Sequence, residues 1–235
     1  MSSEFEGQVV LVAGGTGALG RAVSASFLEA GATVIVTYRR ESEFDALKHA
    51  VGPSAVRLDG YSVDVMNESE LTDAIRDLVV RHERLDVLVN AIGGYSAGAP
   101  LWEMETSVLE RMLSMNLHPG YRLARAVVPT MLKQGRGALV NVAATAAFNH
   151  MPSAGAYVAS KAAAVAMIDS LAADLKGSGV RVNSICPTII DTEANRAAMP
   201  GGDYSTWPKP EEIARVILFL CSSNAKLIHG AAIPV

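Results

Sequence analysis

Apolar residues along this 235-residue chain follow two alternating periods. Continuous runs rich in branched side chains recur at residues 9–12, 33–36, 87–89, 138–142 and 180–185. Unbroken rather than alternating apolarity predicts strands buried on both faces. Between the runs, apolar positions take helical spacing, as in Leu19, Val23, Phe27 and Leu28, and again in Leu71, Ile75, Leu78 and Val79. Further helices are predicted over about 105–133, 154–176 and 210–222. Strand and helix in regular alternation give a parallel sheet covered by helices on both faces. The expected fold is one doubly wound α/β domain over residues 1–235, with about seven strands in all. Ligands of such sheets bind beyond the carboxyl ends of the strands, so functional residues are expected just after them.

Composition narrows the class. Half of the chain is hydrophobic and 19% is charged, which excludes an extended disordered chain. Twenty basic against twenty-four acidic residues argue against a nucleic-acid or anionic-membrane surface. The polar start of the chain, residues 1–8, has no apolar segment behind it. The longest uncharged run, residues 137–160, is interrupted by Asn141, Thr145, Asn149, His150, Pro152 and Ser153, so no membrane span is expected there. Cys186 and Cys221 form neither a disulfide framework nor a metal knuckle, which suits a reducing, cytoplasmic compartment. Five histidines without cysteine or carboxylate spacing do not make a metal site, and none is expected.

The first run leads into Gly14-Gly15-Thr16-Gly17-Ala18-Leu19-Gly20 and then a helical stripe. Such a turn brings backbone N–H groups and a helix N-terminus to a pyrophosphate. Placed after the first strand of a βαβ unit, it marks a dinucleotide site. The second run ends Thr37-Tyr38-Arg39-Arg40, with no acid until Glu41. An acid there suits the ribose of NAD, and a basic residue suits the 2′-phosphate of NADP. Arg39, helped by Arg40, therefore favours NADP(H), with NAD(H) as the alternative. Further on, Tyr157 and Lys161 fall one helical turn apart on the same face. An ammonium beside a phenol lowers its pKa and fits it for proton transfer.

The glycine turn, Asp64-Val65, Asn90-Ala91-Ile92-Gly93, Asn116 and the Tyr157/Lys161 pair occur in an order and spacing that resembles the short-chain dehydrogenase/reductase superfamily over the full chain. The resemblance implies an NAD(P)-dependent oxidoreductase of Rossmann type acting on a small molecule. It implies that Tyr157 transfers the proton, that Lys161 binds the nicotinamide ribose and tunes Tyr157, and that Asn116 holds a relay water. It further implies Asp64 and Val65 at the adenine, Asn90, Gly93 and Pro187 along the cofactor, and Thr192 near the nicotinamide carboxamide. Its two long helices, near 104–133 and 157–176, would pack on a second subunit, giving a homodimer or homotetramer.

Departures from that pattern are informative. Ala144 stands where the family has a serine that hydrogen-bonds the substrate oxygen, a role a methyl group cannot fill. Thr145 or a water is then the candidate replacement. Gly17-Ala18, Pro187-Thr188 and the end at Val235 also differ. Together with Ala144, the loop 93–95 and the stretch 191–207 resemble the dihydropteridine reductase branch. Reduction of a quinonoid dihydropteridine crosses a conjugated C=N system and has less need of that serine. Tyr95, Met199 and Trp207 are candidate substrate contacts, and Tyr95 and Trp102 can stack on a flat ring. The alternatives are a carbonyl or alcohol substrate and, in another class, a catalytically silent NADP(H)-binding sensor.

Overall fold

The computed structural model describes residues 4–235, so the first three residues of the polar N-terminal stretch lie outside it. Its sheet has seven parallel strands in the order β3-β2-β1-β4-β5-β6-β7. In chain order these are β1 (Val9–Ala13), β2 (Thr33–Tyr38), β3 (Leu58–Ser62), β4 (Val87–Asn90), β5 (Gly137–Val142), β6 (Val180–Cys186) and β7 (Ala232–Pro234). Eight α-helices connect or follow them: α1 (Ala18–Glu29), α2 (Glu41–Val51), α3 (Glu68–His82), α4 (Thr106–Asn116), α5 (His118–Gln134), α6 (Gly155–Asp174), α7 (Glu193–Ala198) and α8 (Pro210–Cys221).

Alternation along β1 divides the core. Val10 and Val12 point into one layer with Phe27 of α1, Leu47 of α2 and Ile217 of α8. Val9, Leu11 and Ala13 point into the other, with Leu78 of α3, Leu123 of α5 and Ile168 of α6. Both faces of the strand are therefore covered, which is why the run reads as continuous apolarity. Among the described residues α6 alone is long and apolar enough to cross a membrane. Here it lies on the sheet, with Ala164, Ile168 and Ala172 buried.

The long helix expected over 105–133 is two helices. The backbone departs from regular helix at Leu117 (φ −104°, ψ −53°), between α4 and α5. Pro119 has no N–H to give the Met115 carbonyl, so the ladder fails one residue after Asn116. Asn116, buried at that break, turns its side chain to the loop after β4. β1 and β4 are neighbours in the sheet although two strands separate them in sequence. Strand order reverses there, and the loops leaving β1 and β4 part to form a crevice.

Candidate active site

β1 delivers the glycine turn to the mouth of that crevice. Gly14 has φ +76°, in the left-handed region that glycine adopts without steric cost, and its N–H donates to Thr37 Oγ1 at 3.1 Å. The Gly17 N–H donates to the Gly14 carbonyl at 3.1 Å and closes the turn. A Cβ on Gly20 would run into the Gly14 carbonyl oxygen and lie 2.8 Å from Gly15 Cα. Helix α1 can therefore start directly on the exit of the strand. Its N-cap, Gly17, makes no side-chain cap hydrogen bond, so the N–H groups at Ala18 and Leu19 remain for an anion.

A cleft of about 350 Å³ runs from Gly14, Thr16 and Gly17, past Arg39, to Asp64 and Val65, and on to Gly93. The glycine-lined backbone, the free helix terminus and the length of the cleft suit a dinucleotide with its pyrophosphate at α1. Arg39 lines the cleft, whereas Arg40 is outside its lining and pairs with Glu43. Asn90 is buried and acts on the protein itself. Its amide donates to Asn141 Oδ1 at 2.8 Å, and its oxygen accepts from the Ile92 N–H at 3.2 Å. It shapes the 91–93 turn that forms the cleft wall.

Two of the proton-transfer candidates, Asn116 and Lys161, meet beside Gly93 at the inner end. A Cβ built on Gly93 would lie 3.0 Å from Asn116 Oδ1 and 3.1 Å from Lys161 Nζ, so these three residues converge. Asn116 clamps the loop, accepting from the Gly94 N–H at 2.9 Å and donating to the Gly94 carbonyl at 3.0 Å. Its amide also donates to Ser160 Oγ at 3.0 Å, and that hydroxyl donates to the Tyr157 carbonyl at 2.7 Å. Lys161, buried on α6, donates to the Val142 carbonyl at 3.3 Å. Burial draws the Lys161 ammonium down to about 8. Burial also pushes the Tyr157 phenol up to about 12, with Tyr95 adding to the rise. The lowering of Tyr157 expected from its lysine does not arise here: both influences on the phenol, burial and Tyr95, raise it.

Ala144 is buried behind this corner, and its backbone hydrogen-bonds the thiol of Cys186, which burial raises to about 11. Thr145 is committed to the protein: its N–H donates to the Pro187 carbonyl at 2.9 Å, and its hydroxyl to the same oxygen at 3.4 Å. Pro187 therefore serves as an anchor for the β5 exit. Thr192 caps α7, accepting from the Asn195 N–H at 3.2 Å. Tyr95 lies edge-on to Tyr157, with ring centroids 4.9 Å apart at 79°. Met199 and Trp207 belong to a self-packed segment: Trp207 sits edge-on to Tyr204, whose hydroxyl donates to the Met199 carbonyl at 2.9 Å.

Sequence reading missed Glu43 and Ser160. Ser160 carries one local signal, its place three residues after Tyr157 and next to Lys161. Glu43 reaches the glycine turn across 27 residues of chain, which no local pattern announces.

Comparison with known proteins agrees with this geometry. The family model for short chain dehydrogenases matches residues 8–201. Galactitol 2-dehydrogenase of Rhizobium johnstonii is 33% identical, covering 98% of this chain and 94% of its own. The 3-oxoacyl-acyl-carrier-protein reductase of Thermotoga maritima is 30% identical, covering 98% and 97%. A short-chain type dehydrogenase/reductase of known structure from Mycobacterium ulcerans superposes with a TM-score of 0.92 at 26% identity, covering 100% of this chain and 90% of that one. With the glycine turn, the Asn116 break and the Tyr157/Lys161 pair on one parallel sheet, the chain belongs to the short-chain dehydrogenase family.

Proposed function

We propose that this chain is an NAD(P)(H)-dependent oxidoreductase in which Tyr157 exchanges a proton with a small organic substrate. The observation that carries the reading is the convergence of Asn116, Lys161 and Gly93 at the inner end of the glycine-lined cleft, with Tyr157 one helical turn from Lys161. When bound, the nicotinamide supplies or accepts the hydride. The glycine turn and the α1 terminus hold the pyrophosphate, Arg39 meets a 2′-phosphate, and Asp64 and Val65 border the adenine.

At the inner end, Lys161 keeps a positive charge beside the reacting groups, which favours a phenolate as Tyr157 gives up its proton. Asn116 and Ser160 fix the α6 backbone at Tyr157 and the loop at Gly94 in one network, so the helix turn that carries the phenol is set before substrate arrives.

The substrate presents an apolar body. Tyr95, Leu101, Trp102, Phe148, Met151 and Met199 are large side chains left exposed on the segments after β4, β5 and β6. Those segments leave adjacent strand ends, and one of these side chains, Tyr95, lies edge-on to Tyr157. The Ala144 methyl favours an acceptor that needs no serine hydroxyl, and a dihydropteridine is one such acceptor. The relatives named above are a polyol dehydrogenase and a 3-oxoacyl reductase, so a carbonyl or alcohol is the second reading. The functional unit is proposed to be a homodimer or homotetramer of single-domain chains.

Nicotinamide absorbance tests this reading, with NADPH or NADH offered with a quinonoid dihydropteridine and with aryl and alkyl ketones, and NADP+ or NAD+ offered with polyols. Tyr157→Phe is expected to lower kcat by about 10² to 10⁴ while cofactor Kd stays within about twofold. Turnover that survives in Tyr157→Phe would remove Tyr157 as the proton donor. Tight cofactor binding with no turnover on any acceptor would favour a cofactor-binding sensor instead.

A further inference from the structure

We propose that Glu43 sets the cofactor selectivity of the cleft by engaging Arg40 and placing a negative charge where a 2′-phosphate would bind, so that the chain accepts both nicotinamide cofactors. The inference rests on the cofactor reading above and concerns one residue that reading does not use.

Helix α2 begins with Glu41 and Glu43 in its first turn, where any acid gains from the helix dipole. An ion pair three residues apart is likewise common on helix surfaces. Two observations take Glu43 beyond that ordinary role. Its second carboxylate oxygen accepts from the Thr16 hydroxyl at 3.3 Å, within the glycine turn itself. It also lines the same cleft as Thr16 and Arg39, with its side chain 29% exposed. Glu41, one turn position away, does neither, because the Tyr38 hydroxyl donates to it at 2.6 Å.

Three arginines and two acids gather here. Arg40 pairs with Glu43, and Arg21 donates from Nε to the Thr16 carbonyl at 2.7 Å. Arg39 is the cationic side chain of the cleft lining, set against Glu43 and Asp64. The Arg40 guanidinium holds the Glu43 carboxyl below its ordinary range, so it is ionised at neutral pH. A phosphate dianion entering beside Arg39 meets this carboxylate and must compete with it for Arg40. A ribose with a free 2′-hydroxyl meets no such repulsion, and a carboxylate can accept its hydrogen bond. The two arginines after β2 therefore overstate the phosphate preference, since one of them is already neutralised.

The test uses adenosine 2′,5′-bisphosphate and AMP, which probe this end of the cleft without any hydride chemistry. Calorimetry on the full chain is expected to show the wild type binding both with affinities within about tenfold. Glu43→Gln keeps shape and removes charge. It should tighten the bisphosphate by about tenfold, the scale of one partly screened charge pair, and weaken AMP by about two- to threefold, because the amide oxygen accepts the 2′-hydroxyl bond less strongly than a carboxylate. Adding Arg40→Ala to Glu43→Gln should remove the part of the gain that a freed Arg40 supplies and keep the part that comes from lost repulsion. An unchanged or weaker bisphosphate affinity in Glu43→Gln overturns the proposal, as does an equal gain for AMP. Thermal unfolding of each variant guards against misfolding. If the oxidoreductase reading itself failed, turnover would be absent while both nucleotides still bound, so the two failures are distinct.

Discussion

Lys161 carries its charge at a cost that pH can reveal. Lys161 is only 6% exposed, and its ammonium donates to the Val142 carbonyl at 3.3 Å. Burial sets its folded-state pKa at about 8, below the ordinary 10.5. Below pH 8 the lysine is protonated folded and unfolded, and the penalty for burying the charge is fully present. Between about pH 8 and 10.5 the folded state releases its proton while the unfolded state keeps it, so stability rises with pH. The rise amounts to about 3 kcal/mol for a shift of this size. Urea unfolding of the wild type and Lys161→Met at pH 7 and 10.5 should show the variant's stability advantage shrinking by that amount. A pH-independent difference between the two would mean that Lys161 is not desolvated. Tyr157, Lys161 and Asn116 were legible in the sequence because helical spacing and motif order carry them. Ser160, Glu43 and the thiol behind Ala144 were not, since their partners lie on segments brought near only by the fold.

Among elements, the interior strands were legible and the edges were not. β3 reads Leu-Asp-Gly-Tyr-Ser and β7 only Ala-Ile-Pro. They lie at the two edges of the sheet, where burial on both faces is incomplete and a continuous apolar run is not required. The α4–α5 break was hidden for another reason: apolar periodicity runs through it, and only the Pro119 backbone and the Asn116 side chain mark it. In the glycine turn the sequence shows four glycines without showing which ones packing requires. A Cβ on Gly20 would meet the Gly14 carbonyl and the Gly15 Cα. On Gly17, whose φ is −73°, the nearest atom would be 3.4 Å away. Gly20→Ala is therefore expected to lose about 3 kcal/mol and roughly 6–12 °C in Tm. Gly17→Ala should stay within about 2 °C of the parent. Differential scanning calorimetry of the two variants decides the matter, and equal losses would show that the close approach at Gly20 is not what the turn depends on.

For the whole molecule, one feature of α6 is out of keeping with a lone chain. A helix lying on one sheet face needs a single apolar stripe, yet α6 is apolar nearly all round. Ala164, Ile168 and Ala172 serve the sheet, while Ala159, Ala166 and Ala173 are exposed and Met167 and Leu171 are half-buried. Beside it on α5, Tyr121 is 51% exposed, and a groove of about 550 Å³ bordered by Val128, Pro129, Met167 and Leu171 runs between the two helices. A second copy related by a two-fold axis would place the same helix pair against itself, the commonest closed symmetry for such an assembly. We therefore propose that the α5–α6 face is the subunit contact. Ser170 borders the groove and is exposed, so a larger polar residue there leaves the sheet contacts of α6 intact. Ser170→Arg introduces two like charges across a two-fold contact and should drive the assembly toward smaller species at micromolar concentration. Size-exclusion chromatography with light scattering reads the mass, and circular dichroism verifies that the helices persist. A wild type that elutes as a monomer, or a variant whose oligomer is unchanged, would place the contact elsewhere and leave the apolar outer face of α6 without a partner.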